Sequence, residues 1–248
     1  MGPKLYNAVR LYIDGVRDGH LGAALDKYVA EDLVQHTPGV ASGRAGLGEL
    51  FESLVGQHTR RMIRPMRGFE DGSKVFLHTY HSYGFRDVER VSIDIFDTDD
   101  DHQLAEHWHV GAPMRSQSRS GRSQIDGPTC VADLTHTDAN KELVSRYAKD
   151  VLLGGDRSRI LDYISPETFH QHNPDISDSV DGFLDHLDER AAAGIPTRYC
   201  AIDQLVGCGD LVATVGRTVA EHDTVANTVA DLFRIEGGRI VEHWDAID

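Results

Sequence analysis

Four side chains with the makings of acid–base chemistry recur in this 248-residue chain. In the run V-A-D-L-F-R-I-E-G-G-R-I-V-E-H-W-D (229–245) they are Asp231, Phe233, Glu242 and Trp244; in a degraded copy about 136 residues earlier they are Asp94, Phe96, Glu106 and Trp108. A carboxylate set among apolar walls is costly to ionise, so its pKa rises toward the range of a general acid or base. Such a group takes a proton alpha to a carbonyl, donors steady the enolate oxygen, and the same group returns the proton. Asp231 is the expected base and Glu242 the second choice. His172, Asn173 and the Trp244 indole N–H are the expected donors. A solvated face with carboxylates paired to arginines is the bland alternative, with Arg234 or Arg239 as the partner of Glu242. The repeat argues against it, since a solvated face has little reason to keep Asp, Phe, Glu and Trp in the same places.

The element that must position them is a hairpin. Gly237-Gly238 between β-branched runs signals a two-residue turn in which both residues need φ > 0. Counting outward pairs Ile235 with Ile240, Phe233 with Glu242 and Asp231 with Trp244 on one face. Arg234, Leu232, Val241, His243 and Asp245 fall on the other, and a slip of one residue would bring Asp245 inward.

The rest of the chain repeats as the hairpin does. His36/His172, Pro38/Pro174, Gly46/Gly182, Glu106/Glu242 and Trp108/Trp244 all keep a spacing of 136. Each half reads as three helices followed by a four-strand antiparallel meander. In the first half the helices are expected near 4–18, 21–29 and 44–58, and the strands near 62–66, 75–83, 90–97 and 104–110. In the second, helices at 138–153, around 160–164 and up to about 193 precede strands at 197–205, 211–219, 225–235 and 239–247. The expected division is residues 1–112 and 137–248, joined by a Ser- and Arg-rich flexible linker, 113–136. Residues 1–125 carry 15 basic and 17 acidic groups, residues 126–248 carry 10 and 23. No basic cluster follows a phosphate backbone, so nucleic acid is not an expected partner. No apolar run approaches the roughly 18–20 residues of a membrane span, and no signal segment is evident. Three scattered cysteines make no disulfide framework. The expectation is a cytoplasmic protein.

The residues carry a family resemblance. Gln171-His172-Asn173-Pro174, Asp231-Leu232-Phe233-Arg234, and Gly238 through Asp245 resemble the SnoaL-like, polyketide cyclase-like domains of the nuclear transport factor 2-like superfamily. The resemblance covers nearly the whole chain twice. It implies an α+β fold: two tandem cone-shaped barrels, each with three helices on a curved antiparallel sheet around a pocket. It further implies aldol-type or isomerase chemistry without a cofactor, on a small hydrophobic carbonyl compound. Relatives also include epoxide hydrolases and non-catalytic binding domains. Such domains often dimerise through their sheets, which suggests an intramolecular pseudo-dimer or a homodimer. The first copy departs from the pattern: Thr37 replaces the Asn, His109 replaces the terminal Asp, and the Gly-Gly turn is lost. A vestigial first pocket and a non-catalytic small-molecule-binding protein are therefore the alternative.

Asn173, Phe233, Trp244 and Asp245, with His36, His78, Asp94, Phe96, Glu106 and Trp108 in the first copy, are the expected substrate-binding residues. His78 is expected to point inward, beside Phe76 and Tyr80. Two His-x-His pairs, His107/His109 and His170/His172, have metal-ligand spacing. They fall in different modules, and Asp245 stands in place of a second histidine in the second copy, so a metal-free site is expected.

Overall fold

A computed structural model describes residues 1–56, 58–194, 197–220 and 226–247. The chain divides into two compact units, Met1–Met114 and Arg115–Asp248.

The first unit opens with helix α1 (Pro3–Arg10), started by Pro3 in the first helical turn, where a missing N–H costs nothing. It runs on as a π-helical stretch, Leu11–Arg17. Helix α2 (Leu21–Tyr28), strand β1 (Val29–Gln35) and helix α3 (Gly43–Val55) follow. The meander is β2 (Arg61–Asp71), β3 (Lys74–Tyr83), β4 (Val88–Thr98) and β5 (Leu104–Pro113). The second unit repeats the plan: α4 (Thr137–Tyr147) with a π-helical extension, Ala148–Leu153, then α5 (Ile160–Tyr163), β6 (His170–Gln171) and α6 (Ser179–Ala192). Its meander is β7 (Thr197–Cys208), β8 (Leu211–Ala220), β9 (Asn227–Glu236) and β10 (Arg239–Ile247). Both units are α+β. Val225, the expected start of β9, lies outside the described residues.

One strand per unit escaped the sequence pattern. β1 and β6 each add to the sheet edge, parallel to β5 and β10, giving orders β1-β5-β4-β3-β2 and β6-β10-β9-β8-β7. β1 contains Glu31 and Asp32 side by side, both exposed, and β6 is two residues long, so neither shows a period of two. The helices bury their apolar stripes on one face of each sheet. Leu5, Leu11, Tyr12, Leu47 and Phe51 meet Val75, Leu77 and Phe96 in the first unit; Val144, Tyr147, Ile160 and Val180 meet Val212, Phe233 and Ile235 in the second.

The expected linker is not a free tether over its first half. Its arginines find the acidic surface of the second unit: Arg115 pairs with Asp175 at 2.7 Å, Arg119 with Glu189 at 2.6 Å and Arg122 with Asp178 at 3.1 Å. Ser120 Oγ donates to the Gln171 carbonyl at 2.7 Å. A Ser/Arg composition reads as flexible only where no opposite charge waits for it.

At the tip of the β9–β10 hairpin Gly237 and Gly238 have φ of 57° and 73°, as the turn requires. Gly237→Ala should cost about 1 kcal/mol through the left-handed backbone, read as a lower midpoint in chemical denaturation with an unchanged slope.

Candidate functional site

The hairpin pairs as counted only as far as Ile235–Ile240. Beyond that Val241 is skipped, and Glu242 pairs with Arg234, His243 with Phe233, Trp244 with Leu232 and Asp245 with Asp231. The first unit repeats this with Ala105 as the skipped residue: Asp97 pairs with Glu106, Phe96 with His107 and Asp94 with His109. A bulge of one residue turns every side chain beyond it to the opposite face. The helix-facing side therefore carries Asp231, Phe233, His243 and Asp245, not Glu242 and Trp244.

Glu242, Trp244 and His172, expected in the pocket, instead form a buried cluster on the other face. The His172 ring stacks on Trp244 with centroids 4.5 Å apart, and its Nε2 lies 2.8 Å from Glu242. Arg234 Nε donates to Glu242 at 2.7 Å. Burial alone would raise the Glu242 carboxyl, but the His172 and Arg234 hydrogen bonds outweigh it and lower its pKa. His172 Nδ1 donates to the Ser123 carbonyl and Trp244 Nε1 to the Asp126 carbonyl, at 2.7 and 2.9 Å. These residues anchor the linker. In the first unit His36 stacks on Trp108 at 4.1 Å and meets Glu106 at 2.7 Å, again away from the helices. His78 also points to that side, buried 3.1 Å from Arg67 Nη1, because it alternates with Leu77 of the core; His81 is the inward histidine.

On the helix side of the second unit lies a cavity of about 430 Å³, within the range for small-molecule sites. Tyr147, Val151, Phe169, Ile176 and Phe183 wall it; Asp231, Phe233, His243, Asp245 and Asn173 also line it. His243 Nε2 lies 3.0 Å from Asp231 Oδ1. Asp231 also accepts from Tyr199 Oη at 2.8 Å and Thr214 Oγ1 at 3.2 Å. Asn173 Nδ2 donates to Asp245 at 2.7 Å. Burial, with the Asp231 charge added, raises the Asp245 pKa against the opposing effect of His243 and Asn173. Burial would lower the His243 pKa, but the Asp231 hydrogen bond and the Asp245 and Asp231 charges raise it. Burial and Asp231 likewise push the Tyr199 hydroxyl well up.

The first unit has the same constellation with the cavity filled. Asp94 is fully buried and accepts from Tyr12 Oη at 2.8 Å, Ser92 Oγ at 2.8 Å, His107 Nε2 at 3.0 Å and His109 Nδ1 at 2.8 Å. Burial opposes ionisation of Asp94, but the His109 charge and the hydrogen bonds from His107 and His109 hold it well below the usual carboxylate range. Tyr12 packs on Phe51 at 5.1 Å and Phe96 on His107 at 4.3 Å, leaving Asp94 and Phe96 in packed core. The space beside His81, Ser92 and His109 is about 10 Å³, enough for one water. Among the described residues, Asp94–His107–His109 and Asp231–His243–Asp245 each bring three possible metal-ligand atoms within 4.8 Å. Gln35 Nε2 approaches His107 Nδ1 at 3.1 Å. That donor puts the His107 hydrogen on Nε2, so the first cluster meets Asp94 with an N–H rather than a lone pair.

Counting strands from the turn missed His243, Tyr199, Thr214 and Gln171. The pair His107/His243 keeps the 136 spacing as faithfully as its neighbours do, and that signal was available.

The second unit is thus an α+β domain in which a helix-backed sheet brings an Asp–His–Asp cluster to a cavity of mixed apolar and charged lining. Residues 144–243 match the family model of the SnoaL-like domain, and that segment of the second unit is a SnoaL-like domain. Solved structures with similarity include a putative polyketide cyclase from Acidithiobacillus ferrooxidans, at 20% identity over 44% of this chain and 87% of that one, with a TM-score of 0.36. A putative polyketide cyclase from Streptomyces antibioticus matches at 23% identity over 44% and 91%, TM-score 0.35. An LEH-like epoxide hydrolase from M. tuberculosis matches at 16% identity over 43% and 80%, TM-score 0.34. No curated protein matches the chain. Among the described residues no helix is long and apolar enough to cross a membrane.

The two carboxylates of opposite pKa shift give predictions of opposite sign. Asp94, depressed, contributes stability that is present above its unfolded pKa of about 3.9 and lost as pH falls below it. Asp94→Asn should therefore cost about 3–5 kcal/mol at pH 7, with the deficit shrinking in denaturant titrations below about pH 4. Asp245, raised, binds its proton more tightly in the fold, so its ionisation destabilises at neutral pH. Asp245→Asn should raise the melting temperature at pH 7, with the gain disappearing as pH falls toward 4.

Proposed function

We propose that the second unit is an acid–base site acting on a small, mostly apolar carbonyl compound, by aldol-type or isomerase chemistry carried by the chain's own proton-transfer groups. The supporting observation is the convergence of Asp231, His243 and Asp245 on one cavity whose remaining lining combines aromatic and aliphatic side chains with Arg157, His186, Arg190 and Arg198. The roles differ from those expected of the sequence. Asp231 is nearly wholly buried and its oxygens accept from Tyr199, Thr214 and His243. Asp245 is less buried and oriented by Asn173. In this reading ionised Asp245 takes the proton: the substrate C–H bond breaks, its electron pair moves into the carbonyl to form an enolate, and the proton rests on the Asp245 carboxyl. The enolate then either attacks a second carbonyl, as in an aldol closure, or takes the proton back at another carbon, as in an isomerisation. In the aldol case the π electron pair of the attacked carbonyl moves onto its oxygen, and the resulting alkoxide takes the proton back from Asp245. Asp231 orients His243 behind it. A raised Asp245 pKa brings its protonated and ionised forms closer in free energy near neutral pH, which suits a group that must do both.

Non-catalytic binding is the second reading, and the full set of hydrogen bonds around Asp231 favours it. Hydrogen–deuterium exchange alpha to the carbonyl separates the two. A panel of apolar cyclic ketones in D₂O, followed by NMR, should lose α-proton signal faster with the wild-type protein than in buffer. Asp245→Asn should reduce that rate by at least about 10²-fold and Asp231→Asn by less. Saturable binding of these ketones with exchange no faster than buffer would sink the enzymatic reading and leave the binding one.

A further inference from the structure

Each helix-facing histidine meets a glutamine from the parallel edge strand. Gln35 is the register partner of His107, and Gln171 that of His243. The two glutamines have different surroundings, and the difference sets a proton.

In the first unit Gln35 Oε1 accepts from the Thr37 backbone N–H at 3.2 Å and the Thr37 hydroxyl at 2.9 Å. A backbone N–H only donates, so the amide can face one way. Its Nε2–H then points at His107 Nδ1, 3.1 Å away. That nitrogen must accept, the ring hydrogen sits on Nε2 facing Asp94, and His107 is a neutral imidazole. Burial lowers the His107 pKa more than Asp94 raises it, in keeping with this form.

In the second unit Asn173 stands where Thr37 stood, and its side chain is committed elsewhere. Nδ2 donates to Asp245, and Oδ1 accepts from the Asp175 N–H at 2.8 Å. Gln171, fully buried, turns its Oε1 to His243 Nδ1 at 3.0 Å, and its Nε2 has no hydrogen-bond partner. His243 Nε2 faces an Asp231 oxygen at 3.0 Å. With the amide turned this way and Asp231 ionised, both ring nitrogens face acceptors, an arrangement satisfied when both carry hydrogen. The charged and titratable groups around this ring are Asp231 and Asp245 on the paired strands, with the Tyr199 and Tyr147 hydroxyls beside Asp231. Two carboxylates with oxygens within 4.8 Å of each other repel when both are ionised, and a cation between them relieves that repulsion, whereas the first unit has one carboxylate and a second histidine at that place.

We propose that Gln171 is a positioning residue that holds His243 as an imidazolium between its own amide oxygen and Asp231, while Gln35, pinned by Thr37, holds His107 neutral. Flipping the Gln171 amide would present Nε2–H to His243 Nδ1 and leave Oε1 without a partner, so the flip and the loss of the His243 proton go together. The consequence for chemistry rests on the acid–base reading of the cavity: the stored proton takes the Asp231–His243–Asp245 group from two negative charges to one, which eases ionisation of Asp245.

The test is nitrogen-15 NMR of the histidine rings in the full chain at pH 7, with resonances assigned by their loss in His243→Gln and His107→Gln. His243 should show two protonated-type nitrogens, and His107 one protonated Nε2 and one unprotonated Nδ1. Gln171→Met removes the acceptor and should move the His243 titration midpoint down by at least one pH unit, leaving His107 unchanged. Asn173→Thr, which restores the first unit's pin, should move it the same way. A neutral His243 in the wild-type protein overturns the proposal. So does a His243 midpoint unmoved in both variants when circular dichroism shows them folded. If neither variant folds, the wild-type spectrum alone decides. None of these readings needs a substrate, so they stand apart from the success or failure of ketone exchange.

Discussion

One skipped residue in each unit governs which side chains meet. Ala105 and Val241 sit in the last strand of each meander where the ladder loses a residue, and every side chain after them changes face. Without the bulge, Glu242 and Trp244 would look at the helices while His243 and Asp245 looked away. With it, histidine and carboxylate come under the helices, and the Glu–Trp pair becomes a buried clamp for the linker. The same device at the same place in both copies makes the inner clusters equivalent in position.

Equivalent position does not give equivalent character. In the first unit Tyr12 reaches Asp94 and Phe51 packs on Tyr12, so the carboxylate is enclosed by donors, and among the described residues the space beside its partners Ser92 and His109 is about 10 Å³. In the second unit Tyr147 packs edge-on against Phe233 and Tyr163, Tyr199 from β7 takes the place on Asp231, and α6 buries only Val180. A helix that fills its groove makes a core, and one that stands off leaves a pocket. The charge balance follows. One carboxylate with two histidines is a stabilising buried cluster, whereas two carboxylates with one histidine keep a strained ionisation that a proton-transfer site can use.

The parallel edge strands complete the site although they are its shortest elements. β1 and β6 bring Gln35 and Gln171 to the histidines, and the residue two places on, Thr37 or Asn173, decides how the amide faces. A substitution that never touches the histidine thus changes its protonation.

The sequence by itself determined the duplicated α+β plan, the hairpin at Gly237-Gly238 and most strand and helix positions. These are legible because periodicity and glycine chemistry are local. The tertiary structure alone decided the face of Glu242, Trp244 and His172, the inward turn of His243, the filling of the first pocket, and the docking of the linker's first half. A bulge leaves no mark in a hydrophobic pattern when both faces of the strand are buried, as at Glu242, His243 and Trp244. A cavity depends on how far a helix stands from a sheet, and an arginine's partner on which acidic surface folds up beside it; neither quantity is carried by neighbours in sequence.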